Sequence, residues 1–352
     1  MAAGALPELI VVSQDPFNAE APLACLKNIV TPSPLFYVRN HFSVPHIDAR
    51  SWRLAIRGKV RRGLDVPYER LRSLPQRELL ATLECAGNGR SAFRPAIEGE
   101  PWEYGAVSTA HWRGVSLAEV LEFAGLEEAV RELVVVGADS GHVPAAGREL
   151  SYVRGLPIDK ALHPDTLLAL EMNGEPLTPR HGFPARLIVP GWYGMASVKW
   201  VTRIDAIEEK FRGFYQVDRY VLAYPDRPDV EPLQRMAVRS LVTHPIEGAE
   251  VSAAETLVAG FAWSGEAPVE RVEVSVDGGG SWAEAEMTSG TEPYAWRTWQ
   301  YRWRPEKRGA TTLQSRARDS LGNEQPATCA WNEHGYGNNA IRGVTVHVTN
   351  RG

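Results

Sequence analysis

Among the residues able to do chemistry, one cysteine stands out by its setting. It lies in the run Glu84-Cys85-Ala86-Gly87-Asn88-Gly89-Arg90. A cysteine in an apolar stretch is usually a small buried hydrophobe. Here Thr82-Leu83-Glu84 reads as the end of a strand, and Ala86 to Gly89 is a turn of small residues that leaves the sulfur room for a bulky neighbour. Arg90, five residues on, favours the thiolate electrostatically. A thiolate so placed serves as a nucleophile or as a ligand for a soft or high-valent metal. A nucleophile needs a base, and His41, His111 and His181 are candidates that sequence alone does not bring to it. The other two cysteines, Cys25 and Cys329, are distant, and no CxxC pair occurs. The three are too few for a disulfide framework and wrongly spaced for a structural zinc site.

Cationic and polar residues embedded in apolar runs form the second signal. Arg39-Asn40-His41 follows Phe36-Tyr37-Val38; His181-Gly182-Phe183-Pro184-Ala185-Arg186 leads into Leu187-Ile188-Val189; Ser197-Val198-Lys199-Trp200 comes soon after. Most arginines are solvated surface charges. A rigid guanidinium fork beside a buried strand is different, since it suits tetrahedral oxyanions and phosphates. The combination of His, Arg, Ser and Lys bordering apolar runs reads as the site of a phosphate-bearing cofactor.

The elements that must carry these residues follow from local pattern. Leu133 to Val136 and Arg186 to Val189 are short apolar runs bounded by Gly or Pro, which suits buried strands. Ser116 to Gly125 reads as a short helix, with Ser116 as N-cap, Glu119 completing a capping box and Gly125 ending it. Frequent Pro and Gly predict many loops around a compact core. From about Pro232 the texture changes: Arg271 to Val276 alternates and meets the turn Asp277-Gly278-Gly279-Gly280. Trp299, Tyr301 and Trp303 alternate with polar residues, as do Val344, Val346 and Val348. This predicts a β-sandwich of roughly 100 residues whose aromatics are core. The expectation is two domains, 1–231 mixed α and β and 232–352 all-β.

Composition sets the outer bounds. With 352 residues, 44% hydrophobic, 23% charged and a net charge of -5, the chain is long enough for two cores. Its sign argues against nucleic acid or anionic membrane as a partner. No stretch approaches the roughly 20 apolar residues of a membrane helix. Met1 to Val12 lacks a basic region and a long apolar run, so a cytoplasmic location is expected, or a periplasmic one if a leader has been removed.

The ordered motifs resemble the sulfite oxidase family. They are Asp15-Pro16-Phe17-Asn18-Ala19-Glu20, Phe36 to His41, Thr82 to Asn88, Trp102, Gly105 to Ala110, Glu171-Met172-Asn173-Gly174, His181 to Pro184, Ser197 to Trp200, and Trp331-Asn332. The resemblance implies an α+β molybdopterin-binding domain of sulfite oxidase-like fold, followed by an immunoglobulin-like dimerisation domain. It implies a molybdenum–molybdopterin cofactor with Cys85 as the single protein ligand to the metal. Tyr37, Val38, Arg39, Asn40, His41, Asp139, His181, Arg186, Ser197, Val198 and Lys199 match positions that hold the pterin and its phosphate. Arg39, Arg90, Trp102 and Tyr220 match positions around the anion pocket facing the metal.

The implied activity is oxidation of sulfite to sulfate, the cofactor transferring oxygen while fixed guanidiniums offset desolvation of the dianion. Without a haem motif such as CxxCH in the chain, the expected acceptor is external, such as a cytochrome c. A homodimer is expected from the second domain. The alternative is the same fold and cofactor reducing nitrate or a sulfoxide. Two departures bear on this choice. Gly89 stands where many relatives have an arginine. His334, in Trp331-Asn332-Glu333-His334-Gly335, replaces an arginine that relatives contribute to the anion pocket, so that a protonated imidazole would substitute only below about pH 6.5. On this reading His334→Arg tightens sulfite binding.

Overall fold

The computed structural model describes residues 8–228, 230–290 and 292–349; Met1 to Pro7, at the start of the leader region considered above, lie outside it. Two five-stranded sheets build the first domain. One runs Glu175–Pro176, Leu167–Met172, Val107–Ser116, Arg77–Glu84, with Arg186–Ile188 also pairing on Leu167–Met172. The other runs Leu64–Pro67, Arg53–Gly58, Val201–Ile207, Glu132–Val143, Arg148–Pro157. Every pairing is antiparallel except that of Val201–Ile207 with Arg53–Gly58. The α-helices are short: Tyr68–Ser73, Leu117–Glu122 and Ile158–Ala161. Among the described residues no helix is long and apolar enough to cross a membrane.

The expected helix after Ser116 forms, but without a capping box. Ser116 is buried at a strand end, paired with Leu167, and its side chain makes no cap bond. The Leu117 N–H goes instead to the Thr166 carbonyl, 2.8 Å away. The residue just before the neighbouring strand Leu167–Met172 thus supplies the acceptor that a free helix start takes from its own side chain. Gly125 ends the helix as expected, with φ +67 and its N–H on the Leu121 carbonyl.

The second domain is a sandwich. One sheet runs Arg239–His244, Thr256–Trp263, Arg297–Trp303, Glu286–Met287; the other runs Glu250–Ser252, Gly343–Thr349, Gly309–Asp319, Val269–Ser275, Ala283–Glu284. The alternating residues face inward: Trp299, Trp303, Val344, Val346 and Val348 are all buried in one apolar cluster with Val272, Val274 and Leu313. Four residues of its first sheet region point the other way. Leu241, Phe261, Trp263 and Trp296 pack into the main core of the first domain. The sandwich therefore closes the core of its neighbour as well as its own.

Candidate active site

The strand Arg77–Glu84 goes from exposed to fully buried along its length, so it delivers Cys85 into the interior. There the Cys85 N–H continues the ladder onto the Ala106 carbonyl at 2.9 Å. The chain then turns: Asn88 N–H returns to the Cys85 carbonyl at 2.9 Å, and the Gly87 N–H points at the sulfur. Burial pushes the Cys85 thiol up, while Arg39, Arg90 and that N–H pull it back. The sulfur is free of any disulfide.

The second domain clamps this turn. Glu84 and Arg239 form an ion pair at 2.9 Å with both side chains almost completely buried. Trp263 donates to the other Glu84 oxygen at 2.9 Å, and Asn88 donates to Glu84 at 3.0 Å. Asn338 donates to the Gly89 carbonyl at 2.8 Å and Gly337 N–H to the Ala86 carbonyl at 2.8 Å. Gly89 has φ +87, and a Cβ there would sit 2.9 Å from the Arg239 guanidinium. The glycine in place of a family arginine therefore fits a loop pressed against an arginine from the other domain.

A narrow cleft opens beside Cys85. It is lined by Tyr37, Val38, Arg39, Asn40, His41, Asp139, His181, Arg186, Ser197 and Lys199 from the expected set, so three distant segments do converge. Val38 is pinned to Ala19 by two backbone bonds, and Asn40 donates to the Phe17 carbonyl at 2.9 Å. Lys199 reaches Asn40 and the Arg180 carbonyl. Gly182, at φ +107, lies where a Cβ would be 3.1 Å from both the Arg186 and Lys199 side chains. Val198 alone of the expected set turns away: its side chain is in the core and its carbonyl accepts from Leu187 at 2.8 Å.

The electrostatics of the cleft are unbalanced. Arg39, Arg180, Arg186 and Lys199 face a single carboxylate, Asp139. Burial drives Arg186 down to about 10, and burial with Arg186 and Lys199 drives His181 to about 3. The His181 ring is therefore neutral, its N–H given to the Ser33 carbonyl. Burial raises Asp139 to about 6. The Arg186 Nε and Asp139 Oδ1 atoms are buried with no hydrogen-bond partner. Such groups call for a polar, anionic occupant. Among the described residues no cluster of three or more His, Cys, Asp or Glu side chains could hold a metal. A metal at Cys85 needs its other donors from a non-protein group, as a pterin dithiolene provides. The donor set and the cationic cleft fit a phosphate-bearing pterin carrying molybdenum.

On its other side Cys85 faces a second cavity, lined by Arg39, Arg90, Gly99, Glu100, Trp102, Arg219, Tyr220 and Tyr336. Arg90 donates its Nε to the His334 carbonyl at 3.0 Å and an Nη to the Glu100 carbonyl at 2.8 Å. Its guanidinium lies 5.1 Å over the Tyr336 ring. Tyr220 is 2.6 Å from His41 Nε2, and His41 stacks on Tyr152 at 4.4 Å. Burial and Arg39 lower His41 well below its usual range, and burial raises Tyr220. Both are neutral near pH 7. The indole N–H of Trp102 is buried without a partner.

His334 is not among the residues lining this cavity. It is half-buried beside Tyr336, ring centroids 5.6 Å apart, and burial and Arg219 lower its pKa. The expected protonated stand-in for an arginine is thus disfavoured. Sequence reasoning passed over Arg219, Tyr336, Glu100, Tyr152 and Arg180. Arg219 was adjacent to a chosen residue, Tyr220, and Tyr336 lies two from His334; the others carry no local mark.

Comparison with known proteins agrees with this geometry. Residues 41–215 match the family described as "Oxidoreductase molybdopterin binding domain", and 230–349 match "Mo-co oxidoreductase dimerisation domain". The chain is 36% identical over 365 residues to mitochondrial sulfite oxidase of Rattus norvegicus, covering 97% of this chain and 66% of that protein. It thus spans about two thirds of that relative's length. It is 32% identical to sulfite oxidase of Arabidopsis thaliana, over 97% of this chain and 94% of that one. The crystal structure of the sulfane dehydrogenase SoxCD from Paracoccus pantotrophus superposes with a TM-score of 0.83 at 29% identity, over 98% of this chain and 87% of that one. The cofactor is accordingly molybdenum–molybdopterin, and the second domain is the Mo-co dimerisation module. With its cysteine loop, cationic cleft and paired domains, the chain belongs to the sulfite oxidase family of molybdopterin-dependent oxidoreductases.

Proposed function

We propose that this oxidoreductase oxidises sulfite to sulfate and passes electrons to an external acceptor of the cytochrome c kind, working as a homodimer. The carrying observation is the cavity that opens on Cys85 with Arg39, Arg90, Trp102 and Tyr220 in its wall. When bound, the molybdenum–molybdopterin cofactor supplies oxygen-atom transfer and two-electron redox. Cys85 is the residue that would hold the metal, and Arg39, Arg186, Lys199, Asn40 and His181 would hold the pterin and its phosphate.

The protein's own part is binding and positioning. A small dianion entering the cavity loses its water, and guanidiniums already in place replace that hydration without reorganising. Arg90 is preorganised by two carbonyls, which leaves one guanidinium edge unclaimed. The Trp102 N–H is a further donor without a partner. Tyr220, neutral and oriented by neutral His41, offers a hydroxyl to an oxygen of substrate or product. Molybdenum-loaded protein is expected to reduce ferricyanide or cytochrome c in the presence of sulfite. Loaded protein that is inert to sulfite but reduces nitrate or a sulfoxide would overturn the substrate and direction together.

A further inference from the structure

The cavity beside Cys85 contains three guanidiniums, and the third arrives from an unexpected element. Arg219 ends a π-helical turn, Tyr215–Arg219, immediately before Tyr220. It is half-buried and makes no ion pair with a carboxylate among the described residues. Its charge acts on His41, Tyr215, Tyr220, His334 and Tyr336, a set of groups around the cavity. The other two arginines are partly spent on backbone: Arg39 on the Asn40 carbonyl, Arg90 on the His334 and Glu100 carbonyls.

His334 touches both sides of this arrangement. Its carbonyl accepts from Arg90, and its imidazole N–H is given to the Asp218 carbonyl, one residue before Arg219. It braces the turn that carries the third charge. Glu100, the one carboxylate in the wall, is held by the Asn18 amide at 3.0 Å. Three guanidiniums against one carboxylate leave this side of the cavity positive, which suits an anion.

We propose that Arg219 is a substrate-binding residue, replacing in space the arginine absent at position 334, and that His334 is the residue positioning it. The proposal deepens the sulfite reading above and rests on it only for the name of the anion. It reverses the expectation for His334→Arg. A guanidinium at 334 would crowd Arg90 and Arg219 and remove the N–H from the Asp218 carbonyl, so it weakens anion binding.

The test uses molybdenum-loaded protein, with sulfate binding followed by calorimetry and sulfite oxidation followed by ferricyanide reduction. Near-ultraviolet circular dichroism verifies that each variant is folded. Arg219→Gln is expected to weaken sulfate binding roughly tenfold to a hundredfold, the loss of one charged hydrogen-bonding partner, and to raise the sulfite KM more than it lowers kcat. Arg219→Lys recovers part of the affinity. His334→Gln, which keeps an N–H for Asp218, retains more affinity than His334→Ala, and His334→Arg binds more weakly than wild type. Unchanged sulfate affinity in Arg219→Gln, tighter binding in His334→Arg, or no sulfate binding by wild type would each overturn the proposal. Wild type that binds sulfate through Arg219 yet fails to oxidise sulfite would reject the substrate and keep the pocket.

Discussion

Exchanging the Cys85 sulfur for oxygen removes a soft donor while leaving the surrounding turn intact. Cys85→Ser is therefore expected to lose molybdenum and nearly all turnover, with unfolding free energy changed by less than about 1 kcal/mol. Metal analysis alongside denaturant unfolding checks both halves. The histidines of the cleft make a second residue-scale prediction. His181 is held near 3 by burial and its cationic neighbours, against 6.5 for the free side chain. As pH falls below 6.5 the unfolded chain takes up this proton first. The stability is fully present above that pH and is lost progressively toward 3. For the cofactor-free chain this amounts to about 2 kcal/mol from His181 between pH 6.5 and about pH 5. His41, also lowered, adds to the same slope. In urea titrations across this range His181→Gln should flatten the loss of stability measurably.

At the scale of elements, the turn that carries Cys85 depends on the sandwich strands Arg239–His244 and Thr256–Trp263. Arg239→Met leaves the Glu84 carboxylate buried beside Trp263 and Asn88 without its counter-charge, which costs about 3–5 kcal/mol. Adding Glu84→Gln should restore much of that loss, and a double-mutant cycle in urea measures the coupling. These elements also show what the sequence made legible. Alternation placed Trp299, Trp303 and the valines 344, 346 and 348 in the core, because period two is a property of one strand alone. The helix after Ser116 was readable, but its cap was not, since Thr166, just ahead of a strand far along the chain, supplies the acceptor. The cysteine turn and the cationic segments were visible as types and spacings. Their convergence was known only through resemblance, and Arg219 was missed because, its place beside Tyr220 apart, nothing local distinguishes it from a surface arginine. The pairing of Glu84 with Arg239 spans 155 residues, and no short-range pattern encodes it.

On the scale of the molecule, a chain of net charge -5 keeps a cluster of positive charge in its interior. The field is local to the cleft, where low-dielectric walls focus it. Because Phe261, Trp263 and Trp296 complete the first core, a chain stopped after residue 231 should retain neither molybdenum nor resistance to limited proteolysis. The intact chain is expected to sediment as a dimer at micromolar concentration; a monomer would contradict the proposed assembly. The clamp on the cysteine turn also sets an order of events in biosynthesis. Gly89 leaves the ribosome 249 residues ahead of Asn338, which must donate to its carbonyl. At ordinary elongation rates that interval is roughly 12–50 s. Within it the fastening arrives in stages, Arg239 and Trp263 for Glu84 first and Asn338 for Gly89 last. The residues that fasten the metal-binding loop are thus made well after the loop itself, so the loop is complete in sequence before its lock exists.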